Sequence, residues 1–384
     1  MERPTRELAD VVRACGAALQ DRHRLTSDQR RALRDVARCR TAALGGHVQH
    51  CGDCGHQRLA YNSCRNRHCP KCCASQQAHW LDRESQSLLP VEYHHVVFTL
   101  PAEVNPIGLL NPTTVYDALL SAAAQTVREV SATPKYLGAE VGLLLVLHTW
   151  GQTLSYHPHV HGIATGGGLT AAGRWRSCRP GFFLPVRVLG RVFRAAFVTR
   201  MREAFVRGIL LGFADAAAFD AWAQGLESKD WVVYSQPPFG GPEVVLKYLA
   251  RYTHRVAVGN SRLLRFEDGQ VTFTYKDYAD AAQTKTMTLD GVEFLRRWVT
   301  HVLPRGFVKI RHYGLLANRD RVAKLAVCRQ LLASGAGGSV PIAEPEPRPN
   351  TCPECGSGRW WIGERFGPFE SPPWCVAGVS PDSS

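Results

Sequence analysis

The stretch His157-Pro158-His159-Val160-His161 decides how the middle of this chain is organised. Residues 141–149 and 157–165 predict two strands joined by a short turn. Because alternate side chains of a strand share a face, all three histidines can project to one side. His159 and His161 then offer two imidazoles to one divalent ion, whereas the simpler interpretation is a strand with surface histidines. Three histidines at strict period two favour the metal site.

The composition predicts a globular protein with an anionic partner. The chain has 384 residues, 45% hydrophobic and 21% charged, and a formal net charge of +13. That much positive charge favours a nucleic acid, because phosphate counterions are released on binding. The longest apolar run has seven residues, too few to span a bilayer, and the first residues lack the apolar core of a secretion signal. We therefore expect a cytoplasmic protein.

Two tyrosines supply a second chemical signal. Tyr248 and Tyr252 lie four apart in a predicted helix that begins with Pro242, so they share one helical face. A tyrosine oxygen can attack a phosphodiester and hold the DNA end covalently, with help from a metal that polarises the phosphate. Tyrosines at this spacing more often pack in a core. In a basic chain with a histidine metal strand, the nucleophile interpretation is favoured.

Thirteen cysteines, seven of them between Cys39 and Cys73, indicate metal binding in a reducing compartment. Cys51-Gly-Asp-Cys54 and Cys69-Pro-Lys-Cys72 are two CxxC pairs with fourteen residues between them. Two CxxC turns can close a tetrahedral four-thiolate shell, and glycines suit the tight knuckle. The spacing predicts one structural zinc ion held by Cys51, Cys54, Cys69 and Cys72.

The other cysteines leave alternatives open. Cys39, Cys64 and His68 could build a second zinc site, or they pack locally without metal. Cys352-Pro-Glu-Cys355 is half a site, which Cys328 or Cys375 could complete. An unpaired CxxC tail is the default interpretation.

The chain is predicted to divide into three parts. Residues 1–90 hold two N-terminal helices and a small zinc-ribbon or knuckle module. Residues 91–334 mix strands and helices, with strands near 96–100, 231–235, 262–266 and 271–275. Helices are predicted near 113–131, 187–211, 214–226 and 290–301. This pattern predicts an α+β fold with helices on one face of a mostly antiparallel sheet. Residues 335–384 are a Gly- and Pro-rich linker and a Cys-containing tail.

Motifs spread over roughly residues 39–330 resemble two-tyrosine HUH transposases of the insertion-sequence ninety-one (IS91) family. They are Asn62-Ser-Cys-Arg-Asn-Arg-His-Cys-Pro-Lys-Cys72, His95-Val-Val-Phe-Thr-Leu-Pro101, Leu147-His-Thr-Trp-Gly-Gln152, His157-Pro-His-Val-His161, Cys178-Arg-Pro-Gly-Phe-Phe-Leu-Pro185, Tyr248-Leu-Ala-Arg-Tyr-Thr-His-Arg255, Lys285-Thr-Met-Thr-Leu289 and Ile310-Arg-His-Tyr-Gly314.

The resemblance implies rolling-circle-like transposition through a 5′-phosphotyrosine on DNA, especially single-stranded element ends and target. It implies that His159 and His161 bind Mg²⁺ or Mn²⁺ and that Tyr248 and Tyr252 are the catalytic nucleophiles. It places the strand of Phe98 to Leu100 in the sheet beside the metal, and HUH folds usually add a third polar ligand, for which Gln152 and His148 are candidates. Gly162 stands where many relatives are expected to have cysteine, a departure that concerns packing.

Other functions fit parts of this pattern. A replication initiator or conjugative relaxase would use the same HUH chemistry. A zinc-dependent DNA-binding regulator would lack nuclease activity. A small-molecule metallo-hydrolase of the HxHxDH type is disfavoured, because Gly162 follows His161 where that motif needs Asp and then His.

Overall fold

The computed structural model describes residues 6–236, 257–334 and 351–370. The chain divides into two compact units that are discontinuous in sequence. Unit 1 comprises Met1–Gln76, His254–Val302 and Ala343–Ser384, and unit 2 comprises Gln77–Thr253 and Leu303–Ile342. This division differs from the predicted boundaries at residues 90 and 334, since the C-terminal segment is assigned to the same unit as the N-terminal one.

The helices and strands are numbered in chain order over the described residues. The helices are α1 (Leu8–Arg22), α2 (Ser27–Arg38), α3 (Pro70–Ser85), α4 (Asn105–Leu110), α5 (Pro112–Ala132), α6 (Val186–Val206), α7 (Ala216–Glu227), α8 (Gly291–Val299) and α9 (Arg321–Ser334). The strands are β1 (Gly46–Cys51), β2 (Gln57–Tyr61), β3 (Tyr93–Thr99), β4 (Glu140–Trp150), β5 (Tyr156–Leu169), β6 (Trp175–Ser177), β7 (Val233–Gln236), β8 (Leu263–Glu267), β9 (Gln270–Asp277), β10 (Gln283–Asp290), β11 (Ile310–Gly314) and β12 (Trp360–Phe366).

Unit 2 is built on a six-stranded sheet in the order β11-β4-β5-β3-β7, with β6 paired to β5. All of its strand pairs are antiparallel. The predicted strands at 141–149 and 157–165 are confirmed as the long central pair β4 and β5. The strand of Phe98 is β3, and it lies directly beside β5, as the resemblance implied.

Helices pack against both faces of this sheet. Leu143, Leu145 and Leu147 of β4 are buried in a core with residues of α5, α6 and α7. The alternate residues Leu144 and Val146 are buried in a second core that includes Trp80 of α3 and residues of α9. The run from 141 to 147 is therefore continuously apolar because both faces of β4 are covered. The predicted α+β class with an antiparallel sheet is confirmed. The sequence predicted helices on one face of the sheet, whereas the structure has a smaller helical layer on the second face as well.

Unit 1 contains two small antiparallel sheets, β12-β1-β2 and β10-β9-β8. Helix α2 begins at the predicted cap, where Thr26 and Gln29 form a reciprocal capping box. The hairpin predicted around 262–275 is present as β8 and β9, and β10 extends it. The sequence did not predict β1 and β2, because they lie in a stretch rich in Cys, His and Gly with little hydrophobic alternation, nor β12, which lies in the Cys-containing tail.

Candidate functional site

Three histidines from two neighbouring strands converge on one point of the unit 2 sheet. His148 is on β4, and His159 and His161 are on β5, where His159 is the register partner of His148. One ring nitrogen from each of the three lies within 4.8 Å of the others. Such a spacing allows three imidazoles to bind one divalent ion and leaves further coordination positions open.

Contacts within the site indicate how the imidazoles are oriented. His159 Nδ1–H donates to the backbone oxygen of His157 at 2.7 Å, so the lone pair of His159 is on Nε2. The Nε2 atoms of His159 and His161 lie 3.1 Å apart. The ring of His148 stacks on Trp150, with centroids 4.6 Å apart, which restrains its orientation. Two of the imidazoles therefore direct Nε2 towards a common point.

A fourth histidine orients this set from the adjacent strand. His95 on β3 places Nε2 2.9 Å from His161 Nδ1, and the planes of the two rings are nearly parallel, at 10° to each other. Metal binding through Nε2 of His161 requires its proton on Nδ1, where it is donated to His95. His95 is 3% exposed, so this hydrogen bond is shielded from water. The sequence assigned it no role, because only the register of β3 against β5 brings it to the site.

Burial keeps these imidazoles neutral at physiological pH. It lowers the pKa of His159 to about 4 and that of His95 to about 4. Burial also lowers the pKa of His161 well below its ordinary value, with repulsion from His148 adding to the effect. A neutral imidazole has a lone pair ready for a metal ion, so His159 and His161 can bind a divalent cation without losing a proton first.

The structure brings together part of the predicted catalytic set. His159 and His161 are neighbours as expected, and of the two candidates for the third ligand His148 joins them. Gln152 lies in the turn between β4 and β5. Tyr248 and Tyr252 lie outside the described residues.

The predicted pairing of the two CxxC motifs was wrong. The structure assigns Cys69 and Cys72 to a cluster with Cys39 and Cys64, and it assigns Cys51 and Cys54 to another cluster. The second cluster is completed by Cys352 and Cys355. The physical reason is that the first motif forms the turn between β1 and β2, whereas the second lies beyond β2 at the start of α3, so each CxxC turn meets cysteines from elsewhere in the chain.

The first cluster is buried at the start of α3. The Sγ atom of Cys72 lies 3.5 Å from that of Cys39 and 3.6 Å from that of Cys64. Hydrogen bonds from Cys64 and Cys69 lower the pKa of the Cys39 thiol to about 7, which favours the thiolate that zinc requires. His68, the third member of the predicted second site, instead hydrogen-bonds Asn66 through Nδ1 at 3.0 Å.

Fold and site thus define an α+β protein with a histidine cluster on an antiparallel sheet and two four-cysteine clusters. Two known sequence families match it. A family described as "Putative transposase" matches residues 142–323, and a family described as "Transposase zinc-binding domain" matches residues 11–100. The first span contains the histidine cluster and the second contains Cys39, Cys64, Cys69 and Cys72, which supports structural zinc.

Two relatives extend the match over nearly the whole chain. A putative transposase of Sinorhizobium fredii is 45% identical over 98% of this chain and 99% of its own. The transposase of insertion sequence element IS801 from Pseudomonas savastanoi pv. phaseolicola is 28% identical over 90% of this chain and 82% of its own. The chain belongs to the IS91 family of transposases and carries the zinc-binding domain of that family.

The chain also has a weak likeness to a solved structure. A conjugative relaxase, TrwC, in a metal-free complex with oriT DNA aligns with 41% of this chain and 70% of its own, at 12% identity and a TM-score of 0.23. A likeness at that score carries no structural argument. Among the described residues, no helix is both long enough and apolar enough to cross a membrane.

Proposed function

We propose that this transposase cleaves and joins single-stranded DNA with a tyrosine nucleophile beside a histidine-bound divalent ion. His148, His159 and His161 are the proposed ligands of Mg²⁺ or Mn²⁺, and Tyr248 and Tyr252 are the proposed nucleophiles. The convergence of three imidazole nitrogens within 4.8 Å is the observation that carries the proposal. Of the two ions, an all-imidazole set favours Mn²⁺, because Mg²⁺ is harder and prefers oxygen ligands.

The proposed reaction exchanges one phosphodiester bond for another. The tyrosine oxygen attacks the scissile phosphorus and gives up its proton, and the bond to the 3′ oxygen breaks. The products are a 5′-phosphotyrosine and a free 3′-OH, and the second tyrosine serves strand transfer or resolution in a rolling-circle-like cycle. When bound, the ion polarises the phosphate and neutralises charge that develops on its oxygens. His95 holds the ring of His161 in the orientation that metal binding needs.

A row of arginines in unit 1 is a suitable surface for the DNA backbone. The exposed members on α2, named here the α2 arginines, are Arg30, Arg31, Arg34 and Arg38. In the part of the chain that the structure describes, none of them has a carboxylate within ion-pair distance, so their charge is available to phosphates. Such contacts bind DNA without reading its sequence.

The tyrosine chemistry is tested by incubating the full-length protein with 5′- and 3′-labelled single-stranded element ends and Mn²⁺. We expect a covalent protein–DNA adduct that carries the label 3′ of the cleavage site and survives denaturation. Tyr248→Phe and Tyr252→Phe should each reduce strand transfer, and the double variant should form no adduct. Tyr278→Phe, an exposed tyrosine on another element, is the matched control.

The alternatives give different results in the same assay. Binding of the element ends with no adduct would favour a DNA-binding regulator. Adduct formation at the wild-type level in the double tyrosine variant would refute the assignment of the nucleophiles.

The metal site is tested by combining His159→Ala with His161→Ala. Cleavage should disappear at every Mn²⁺ concentration, because the ion loses two of three ligands. His157→Ala, which keeps the backbone oxygen that accepts from His159, is the control and should retain cleavage. Metal-independent cleavage by the wild type would count against the mechanism.

A further inference from the structure

We propose that Cys51, Cys54, Cys352 and Cys355 bind a second structural zinc ion, which joins the C-terminal segment to the N-terminal zinc-binding domain. The matched zinc-binding domain covers residues 11–100, so it includes only half of this site. The other half lies far along the chain, since Cys355 comes 304 positions after Cys51.

The sulfur geometry fits a tetrahedral zinc ion. The Sγ atoms of Cys51 and Cys355 lie 3.5 Å apart, and those of Cys54 and Cys352 lie 3.6 Å apart. Zinc–sulfur bonds of about 2.3 Å in a tetrahedron place the sulfurs about 3.8 Å apart. A disulfide would bring them to about 2.05 Å. All four ligand atoms lie within 4.8 Å of one another, which leaves no position for a substrate.

The two CxxC turns have the same backbone design. Each is followed by a glycine with positive φ, 71° at Gly55 and 73° at Gly356, as a tight knuckle requires. Gly55 N–H donates to Cys51 O at 3.1 Å, and Gly356 N–H donates to Cys352 O at 2.8 Å.

Each turn also has a second backbone hydrogen bond, and the two bonds are equivalent. Cys51 N–H donates to His56 O at 2.8 Å, and Cys352 N–H donates to Ser357 O at 2.6 Å. Two matching knuckles that face each other are the arrangement of a zinc ribbon.

The strands that carry the knuckles are paired with each other. β12 lies antiparallel to β1, with Trp360 as the register partner of Cys51. At the far end of the pair, a Cβ atom on Gly46 would lie 2.3 Å from the ring of Phe366, so only glycine leaves room for this ring. Trp361 stacks on His50 with centroids 4.1 Å apart. The C-terminal strand is thus part of the packed module, and the cysteines meet because this sheet places them together.

One arginine offsets part of the negative charge that four thiolates and one Zn²⁺ leave. Arg58 interacts electrostatically with Cys352, and its guanidinium lies 3.9 Å above the ring of Trp360. Arg359 forms an ion pair with Asp53 inside the first knuckle, so this carboxylate adds no net charge beside the thiolates. Because a structural zinc contributes its binding energy to folding, loss of either CxxC turn should release the ion and loosen the β1–β12 pairing.

The proposal is tested by the zinc content of the full-length protein, purified under reducing conditions and measured by plasma mass spectrometry. We expect two zinc ions per chain in the wild type. Cys352→Ser combined with Cys355→Ser should retain one ion, and Cys39→Ser combined with Cys64→Ser should also retain one. Cys178→Ser, a half-buried cysteine outside both clusters, is the control and should retain two.

A rescue variant keeps the test decisive if the serine variant folds poorly. Cys355→His preserves a zinc ligand at the same position, and we expect it to retain two ions. One zinc ion per wild-type chain would overturn the proposal. The proposal would also be overturned by two zinc ions in a folded protein that carries both Cys352→Ser and Cys355→Ser. A single zinc ion in a folded Cys355→His protein would overturn it as well.

Discussion

Replacing His95 with phenylalanine tests how the histidine cluster is oriented. The change removes the 2.9 Å hydrogen bond between His161 Nδ1 and His95 Nε2 and leaves the size of the ring nearly unchanged. His161 is 9% exposed, so little water can replace the lost partner. A buried polar group left without its hydrogen bond costs about 1–3 kcal/mol. In the metal-free protein His161 can carry its proton on Nε2 and donate it to His159 Nε2, 3.1 Å away, whereas a bound ion requires the proton on Nδ1.

The penalty therefore falls mainly on the metal-bound state. Loss of a partner behind a ligating histidine typically weakens metal affinity about 10–100-fold, or about 1.4–2.7 kcal/mol. We expect this loss in the Kd for Mn²⁺, measured by isothermal titration calorimetry on protein whose zinc sites are full. His95→Gln, whose amide oxygen can accept the hydrogen bond from His161 Nδ1–H, should recover part of the affinity.

The adjacent histidine of the same strand provides a matched control. His94 faces the opposite side of the sheet, where its ring stacks on Phe183 with centroids 5.1 Å apart. His94→Phe should leave Mn²⁺ affinity within about threefold of the wild type, because it touches none of the proposed ligands. Equal Mn²⁺ affinity in His95→Phe and the wild type would refute the positioning role. Equal losses in His94→Phe and His95→Phe would show that the effect comes from the stability of the strand.

Three further predictions concern pH, packing and DNA binding. Burial lowers the pKa of His159 from 6.5 to about 4, so the unfolded chain binds this proton below pH 6.5 and the folded chain only near pH 4, and folding stability falls as the pH drops through this window. His159 and His161 should therefore add little pH dependence to Mn²⁺ affinity between about pH 7.5 and 5.5, whereas two imidazoles with ordinary pKa values would together lose about a hundredfold. A calorimetric loss of that size would contradict the burial argument. Gly162→Ala would place a Cβ atom 2.8 Å from Val96 Cγ2 and 2.9 Å from Leu145 Cδ2. We expect this overpacking to lower the free energy of unfolding, measured by urea titration, by about 1–3 kcal/mol. An unchanged urea midpoint would show that the core adjusts. Replacing three of the α2 arginines with alanine should weaken the salt dependence of single-stranded DNA binding. We expect the slope of log Kd against log salt concentration, measured by filter binding, to fall by up to about two. An unchanged slope would exclude α2 from the interface.

The sequence alone predicted the elements whose signals are local. The alternation of His157, His159 and His161 fixed their common face, since strand periodicity needs no partner. The apolar run before them predicted β4, and Thr26 predicted the start of α2 because a capping box spans only a few residues. The DNA partner could be predicted from net charge and motif content. The tyrosine pair was predicted in the same local way, from its helical spacing, and stays a prediction.

Tertiary structure decided which of these groups meet. His148 and His95 reach the proposed metal site only because β4 and β3 flank β5 in one register, and that register depends on long-range pairing. The partners of the cysteines also depend on long-range strand pairing. Spacing suggested that neighbouring CxxC motifs share one ion, whereas the sheet of β12, β1 and β2 separates them and brings Cys352 and Cys355 to Cys51 and Cys54. Identical CxxC turns carry no information about their partner, so the partner is chosen by the packing of the strands that hold them.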